Sequence, residues 1–333
     1  MLPLIATALT LIPLALPAQG ADGNPVDPLA EKAVNTVETL EYSIDVVIPY
    51  LVPGDKLVVD YSLKVNKDTS ILPSILCGAG IELYVGGKSL GAVVEAPDGE
   101  SMMAVHKGMS FEGKLPLDVN DLVRKSKLKL TQTDSLELSL GFGPTARAMI
   151  KVVPDMSDVP LDKLDLSKTE VVIFTDFGLM VAKFFPDKAP NHVNRFVGLA
   201  QKHFYDGIQF HRIVRGFMVQ GGDYHTRAPG SPSDMGAQPA MKAEFNDIKH
   251  VKGILSMART NDPNSASAQF FIMHGRAPYL DNNYTVFGQV VKGLDVIDKL
   301  ANQPVGRGPG GENSKPIKPV YIRKMLVLGV PKS

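Results

Sequence analysis

A chain of 333 residues, 44% of them hydrophobic, can bury substantial cores, and its length suggests two domains. Its 35 basic and 35 acidic residues cancel to a formal net charge of zero, which excludes a general attraction to nucleic acid. The single cysteine, Cys77, precludes an intrachain disulfide and reads as a small hydrophobe in a strand or turn.

Residues 1–20 are apolar and uncharged and end on Ala18-Gln19-Gly20, a small-x-small cleavage pattern, so they read as a signal peptide without a basic n-region. Pro3, Pro13 and Pro17 interrupt the apolar run, which falls short of the ~20 residues of a membrane span. Export to a periplasmic or extracellular location is the expectation, with no stable span after leader removal. Residues 21–39 read as a turn-rich linker followed by a short helical or irregular stretch.

From residue 40 to 153 the pattern changes to short alternating strands. They are expected at 42–48, 56–65, 81–85, 89–94, 128–131, 136–140 and 146–153, with one helix over 119–125 capped by Asp118 or Asn120. About seven strands with turn signals between them predict a β-sandwich-like domain. Arg124 to Lys129 alternates like a solvated strand face. Gly87-Lys88-Ser89 is no phosphate loop, because Glu82 stands where the first glycine belongs and strands flank it on both sides.

Residues 154–168, rich in Asp and carrying two prolines, read as a connector to a second domain over 169–333. There, Val171–Phe174 and Leu179–Phe185 form a hairpin across Asp176-Phe177-Gly178. A helix over 189–203 carries Val193, Phe196, Val197 and Leu199-Ala200 at helical spacing. Residues 224–241 read as a long functional loop. Strands follow over 254–258, 269–273, 285–290 and 320–328, with a helix over 294–301. Gly306–Gly311 reads as a surface loop. About eight strands and two helices give a mainly β layout, a closed barrel without free edges.

The domain is organised around Phe210–Asp223, F-H-R-I-V-R-G-F-M-V-Q-G-G-D. Alternation groups Phe210, Arg212 and Val214, then Phe217, Val219 and Gly221, with Gly216 as the break. Arg212 therefore stands beside large apolar groups. Arginine keeps its charge, so it needs a carboxylate or a ligand to accept its hydrogen bonds. The nearest carboxylate downstream is Asp223, which points to a ligand; an ion pair bracing the barrel is the structural alternative.

This stretch resembles the signature of the cyclophilins, the peptidyl-prolyl cis/trans isomerases built on a closed eight-stranded β-barrel. The resemblance continues through Gly253-Ile254-Leu255-Ser256-Met257-Ala258-Arg259, Ser267-Ala268-Gln269-Phe270-Phe271-Ile272, Tyr279-Leu280-Asp281 and Tyr284-Thr285-Val286-Phe287-Gly288. It implies isomerisation of X-Pro bonds, hence a role in protein folding, with proline-containing polypeptides as partners; with the leader, these are expected to be exported proteins. Rotation about a peptide bond meets a barrier of ~18–20 kcal/mol set by resonance. At X-Pro the two isomers are close in energy. Such a catalyst needs no nucleophile, metal or cofactor, only a grip on the proline ring and a fixed donor that favours the twisted bond.

On that resemblance Arg212 is the cationic donor, with Gln220 and Phe217 as its catalytic companions. Met218, Phe271 and Leu280 join Phe217 in the proline pocket. Gln269 grips the peptide backbone, and Ala258 and Arg259 take the residue before proline, mostly through main-chain groups. Tyr279 replaces the rim tryptophan of better-known members, removing an indole N–H that tight cyclosporin binding would use, and Tyr284 replaces a histidine. Arg259 replaces an asparagine, as in bacterial members. The alternative function is a proline-peptide binding, scaffold or chaperone module with weak turnover, its β-rich N-terminal domain holding a client or partner. Ser256 or Ser267 with His211 and Asp223 could be drawn as a hydrolase triad, but nothing like a nucleophile elbow surrounds either serine. The other histidines lack metal-type spacing.

Overall fold

The computed structural model describes residues 33–36, 39–46, 50–129, 136–144 and 146–332. The leader expected over 1–20 lies outside them. In the N-terminal half the strands are β1 Ala33–Thr36, β2 Leu40–Val46, β3 Tyr50–Leu51, β4 Lys56–Val65, β5 Thr69–Ile71, β6 Ile81–Val85, β7 Lys88–Ala92, β8 Met103–Val105, β9 Ser110–Asp118, β10 Leu136–Phe142 and β11 Ala146–Val152. One helix, α1 Val119–Ser126, follows β9, and the Asp118 side chain caps it by accepting from the Asn120 N–H at 2.8 Å.

Two sheets, in the orders β1-β2-β4-β9 and β3-β11-β10-β6-β7, form the sandwich, with β5 and β8 as a separate ribbon. Strand β4 alternates as its sequence does, burying Leu57, Val59, Tyr61, Leu63 and Val65. These meet Ile81, Leu83, Leu140, Phe142 and Ile150 of the facing sheet in one core.

Several expectations are corrected here. The stretch read as helical or irregular before Thr39 contains β1, whose backbone pairs antiparallel with β2. Arg124 to Ser126 lie on α1 rather than on a strand; Leu128 and Lys129 are irregular, and residues 130–131 are outside the described residues. Cys77 is exposed at the end of the single turn Pro73–Cys77 rather than packed. Strand β9 escaped the sequence reading because it contains Gly113 and Pro116, both unfavourable in strand interiors. As the outer strand of its sheet it tolerates the proline. Gly113 is required because a Cβ there would strike the Tyr61 ring.

The C-terminal half contains β12 Glu170–Thr175, β13 Gly178–Phe184, α2 Pro190–Gln201, β14 Arg212–Val214, β15 Met218–Gly221, β16 Ile254–Met257, β17 Phe270–Met273, β18 Val286–Lys292, α3 Leu294–Ala301, β19 Val305–Arg307, β20 Asn313–Pro316 and β21 Ile322–Leu328. Eight of these strands form one sheet, β14-β15-β17-β16-β18-β13-β12-β21. Its two ends meet just before β14. There the Phe210 N–H donates to the Val320 carbonyl and the Ile322 N–H to the Ile208 carbonyl, both at 2.8 Å, closing the barrel. Inside, Phe196 of α2 packs edge-on against Phe270 at a centroid distance of 5.1 Å, and Phe184, Tyr205 and Phe287 surround it.

The connector is part of the barrel's packing. Met156 and Leu164 enter its core, and Gln201 donates to the Met156 carbonyl at 2.6 Å. A small apolar seam joins the two halves: Tyr50, Val52 and Val153 of the sandwich meet Val172, Phe174, Val181 and Leu326 on β12, β13 and β21. Beside it, Lys324 Nζ donates to both Asp55 carboxylate oxygens, at 2.8 and 2.6 Å. Among the described residues no helix is long and apolar enough to cross a membrane.

The Lys324–Asp55 pair is mostly shielded from water, so removing one partner strands the other charge. Asp55→Ala is expected to destabilise the chain by about 2 kcal/mol in calorimetric unfolding, and Asp55→Leu combined with Lys324→Met to restore most of it. A single variant as stable as the wild type would mean that the seam does not depend on the pair.

Candidate active site

The β14–β15 hairpin sets the site. Its register pairs Arg212 with Gln220, Ile213 with Val219 and Val214 with Met218. Ile213 and Val219 therefore point into the barrel core, while Arg212, Val214, Met218 and Gln220 share the outer face. This corrects the grouping read from the sequence. Phe210 is buried in the core, because the chain there pairs with β21 before β14 begins. Phe217 sits in the turn, which Gly216 makes at a φ of 83°.

Strand β17 extends the outer face, setting Phe271 opposite Gln220 and Met273 opposite Met218. A second, smaller apolar cluster forms there from Met218, Ile254, Phe271, Met273, Ala277, Leu280 and Val286. Over it lies a pocket of about 110 Å³ lined by Arg212, Phe217, Met218, Gln220, Ala258, Arg259, Phe271, Leu280 and Tyr284. That volume suits one small ring, whereas drug-sized ligands need clefts of roughly 300–1,000 Å³. Wider clefts lie elsewhere, one beside Asn191, Arg195 and Lys242 and a mostly polar one beside Asp45, Asp60 and Lys114.

Two of the residues expected at the site do not line the pocket. Gln269 stands behind Gln220 and accepts from its amide nitrogen at 3.0 Å. Tyr279 is 68% exposed and packs on the outer side of Phe217, ring centroids 5.9 Å apart.

Comparison with known proteins gives the family. The model of the cyclophilin type peptidyl-prolyl cis-trans isomerase/CLD family matches residues 170–327. Peptidyl-prolyl cis-trans isomerase-like 3 of Gallus gallus is 36% identical over 159 residues, 47% of this chain and 94% of the relative. Peptidyl-prolyl cis-trans isomerase B of Escherichia coli is 36% identical over 165 residues, 47% of this chain and 98% of the relative. The chain belongs to the cyclophilin family. It is a peptidyl-prolyl cis-trans isomerase, and its N-terminal sandwich lies outside the matched residues. A solved cyclophilin of Cryptosporidium parvum is 27% identical, with a TM-score of 0.42 over 48% of this chain and 96% of that one.

Two arginines of this cyclophilin are held in ways the sequence did not disclose. Arg212 is neither fully buried nor short of a carboxylate. Its side chain is 35% exposed, and Nε and Nη2 donate to the two oxygens of Glu312 at 2.7 and 2.9 Å. Its Nη1 faces Gln220 Oε1 at 3.4 Å. Glu312 lies just before β20 in the β19–β20 hairpin, and of the stretch read as a surface loop Gly306 and Arg307 lie on β19. The guanidinium, helped by Ser314, holds the Glu312 carboxyl below the usual range. Arg259 clasps the rim: Nε and Nη2 donate to the Asn283 carbonyl at 3.2 and 2.9 Å, Nη1 donates to the Thr260 carbonyl at 2.8 Å, and the guanidinium lies 4.3 Å from the Tyr284 ring centroid. Ala258 spends its N–H on the Gln269 carbonyl at 2.9 Å, so that group is not free to grip a peptide.

Beneath the pocket floor, the buried His250 ring lies 6.1 Å from Phe271, with Nδ1 3.2 Å from Asp281 Oδ1 and Nε2 3.1 Å from Ser256 Oγ. The triad drawn from Ser256, His211 and Asp223 is therefore not the arrangement present. Ser256 is wholly buried and donates to the Thr285 carbonyl at 3.0 Å, which leaves no approach for an acyl substrate.

Burial holds the His250 imidazole below its ordinary 6.5 despite Asp281. His211 is lowered in the same way, whereas the bond to Asp206 raises His203. Below about pH 6.5 the unfolded chain binds more protons at His250 and His211 than the folded one, so their contribution to stability falls on acidification; His203 acts with the opposite sign. His250→Gln is expected to flatten the fall in Tm between about pH 7 and pH 5.5. An unchanged slope would contradict the neutral, buried state of His250.

Proposed function

We propose that the enzyme holds the prolyl ring in the pocket floored by Met218, Phe271 and Leu280 while Arg212 stabilises the twisted X-Pro bond. The observation that carries this reading is a single chain of side chains along the pocket rim. Arg212 Nη1 faces Gln220 Oε1 at 3.4 Å, and Gln220 Nε2 donates to Gln269 Oε1 at 3.0 Å. Twisting the bond breaks amide resonance and returns the lone pair to the prolyl nitrogen. A fixed cationic N–H beside that nitrogen binds the twisted state more strongly than either planar isomer, which lowers the barrier. Gln220 orients the guanidinium, and Phe217, backed by Tyr279, walls the ring on one side. The residue before proline swings past Ala258, Arg259 and Tyr284 on the other.

Arg212→Ala is expected to lower kcat/KM on a short X-Pro peptide by about 10²–10³-fold, with Tm and circular dichroism unchanged. The Glu312 carboxylate that loses its partner is 42% exposed and remains solvated. Wild-type turnover in this variant would remove Arg212 from the mechanism.

We also propose that the enzyme acts on exported proteins. This is supported by the apolar, uncharged residues 1–20 and their Ala18-Gln19-Gly20 end. Expression of the full chain in a Gram-negative host is expected to yield a periplasmic product starting near Ala21; uncleaved chain confined to the cytoplasm would contradict it.

A further inference from the structure

Glu312 touches Arg212, the arginine assigned to the twisted X-Pro bond, and lies on the side away from the pocket lining. Its carboxylate meets the guanidinium edge to edge, two oxygens on Nε and Nη2 at 2.7 and 2.9 Å. This two-point contact fixes both the plane and the rotation of the guanidinium. What it leaves turned toward the pocket is Nη1, which has only the long 3.4 Å contact to Gln220 and a sulfur contact to Met218 at 3.9 Å. Without Glu312 a partly exposed side chain with a flexible stem would be held at one weak point.

Glu312 is itself firmly mounted. The Gly308 N–H donates to its carbonyl at 2.7 Å, and the hairpin pairs Val305 with Pro316 and Gly306 with Lys315. Gly310 and Gly311 turn the chain at φ values of 75° and 84°, conformations that other residues rarely adopt. Ser314, buried on β20, helps the guanidinium hold the carboxyl below its usual range. As a stability device the contact is poor, since partly exposed ion pairs contribute little. As an orienting device it is well built.

We propose that Glu312 is a positioning residue of the isomerase reaction, holding one edge of Arg212 so that Nη1 faces the prolyl bond. The proposal rests on the catalytic reading of Arg212. It also has a sharp competitor, because a carboxylate beside the catalytic cation weakens that cation's field. If field strength mattered more than orientation, Glu312 would be a brake and its removal would raise kcat.

The test compares full-length wild type, Glu312→Ala, Glu312→Gln and Arg212→Ala. It measures kcat and KM on an X-Pro peptide, together with the Arg212 Nε–Hε signal in nitrogen-15 spectra. Glu312→Ala is expected to lower kcat by about tenfold or more with KM within about twofold, and to broaden the Nε–Hε signal. Glu312→Gln keeps one acceptor oxygen and is expected to recover part of the loss in kcat and part of the signal. Unchanged or raised kcat in Glu312→Ala, or a loss confined to KM, would overturn the positioning role. If Arg212→Ala is inactive in that case, the reading of Arg212 stands and only the role of Glu312 falls. If Arg212→Ala is fully active, both fall. Should Glu312→Ala not fold, Glu312→Gln alone decides: wild-type kcat with an unaltered Nε–Hε signal overturns the proposal, and a reduced kcat at constant KM with a broadened signal supports it.

Discussion

A guanidinium cannot shed its charge, so an arginine at the edge of an apolar pocket must be met by acceptors that fix where it points. The site depends on how that requirement is met. Arg212 divides its donors between Glu312 on one edge and Gln220 at the other end, and Gln220 is in turn bonded to Gln269. Three separate parts of the chain, the β14–β15 hairpin, the residue leading into β17 and the β19–β20 hairpin, must therefore be in register before the guanidinium is held. A closed barrel supplies that register. The same paired strands put Ile213 and Val219 inside and Arg212, Met218 and Gln220 outside.

The pocket is built on the barrel's outer surface, not in its lumen. The lumen is filled by Phe196, Phe270, Phe287 and their neighbours, while the pocket floor belongs to the separate cluster around Met218 and Phe271. A tightly packed interior holds the strands, and a smaller exterior cluster shapes the cleft. The sandwich packs on β12, β13 and β21, at the other end of the strand order from β14 and β15. Among the described residues, none of the sandwich lines the Arg212 pocket.

Much of the barrel was legible in the sequence because its strands are short buried runs bounded by glycine turns, and its helices have clear apolar spacing. Helix α3 runs over the residues expected, Leu294–Ala301, and α2 is shorter by a residue or two at each end. The pocket residues were legible through motif resemblance, which places Arg212, Phe217, Met218, Phe271 and Leu280 together. What the sequence concealed shares one cause, that local pattern cannot report long-range partners. Glu312 is 100 positions from Arg212 and sits in a glycine-rich stretch without strand-like alternation. Strand β9 is supported by pairing with β4, not by its own propensity, and Phe210 turns inward because of β21. The Arg259 guanidinium is likewise taken up by distant and local carbonyls of the rim loops, those of Asn283 and Thr260.

The central claim is that the proline ring enters the pocket over Met218, Phe271 and Leu280, next to Arg212. The most direct measurement is an intermolecular NOE experiment on the full chain with carbon-13-labelled Met and Leu methyl groups and a saturating unlabelled X-Pro peptide. The account predicts contacts from the prolyl ring protons to the Met218 and Leu280 methyls, with exchange between cis and trans peptide signals in the same sample. Prolyl contacts confined to other methyl groups, with exchange still present, would place the chemistry elsewhere and contradict it.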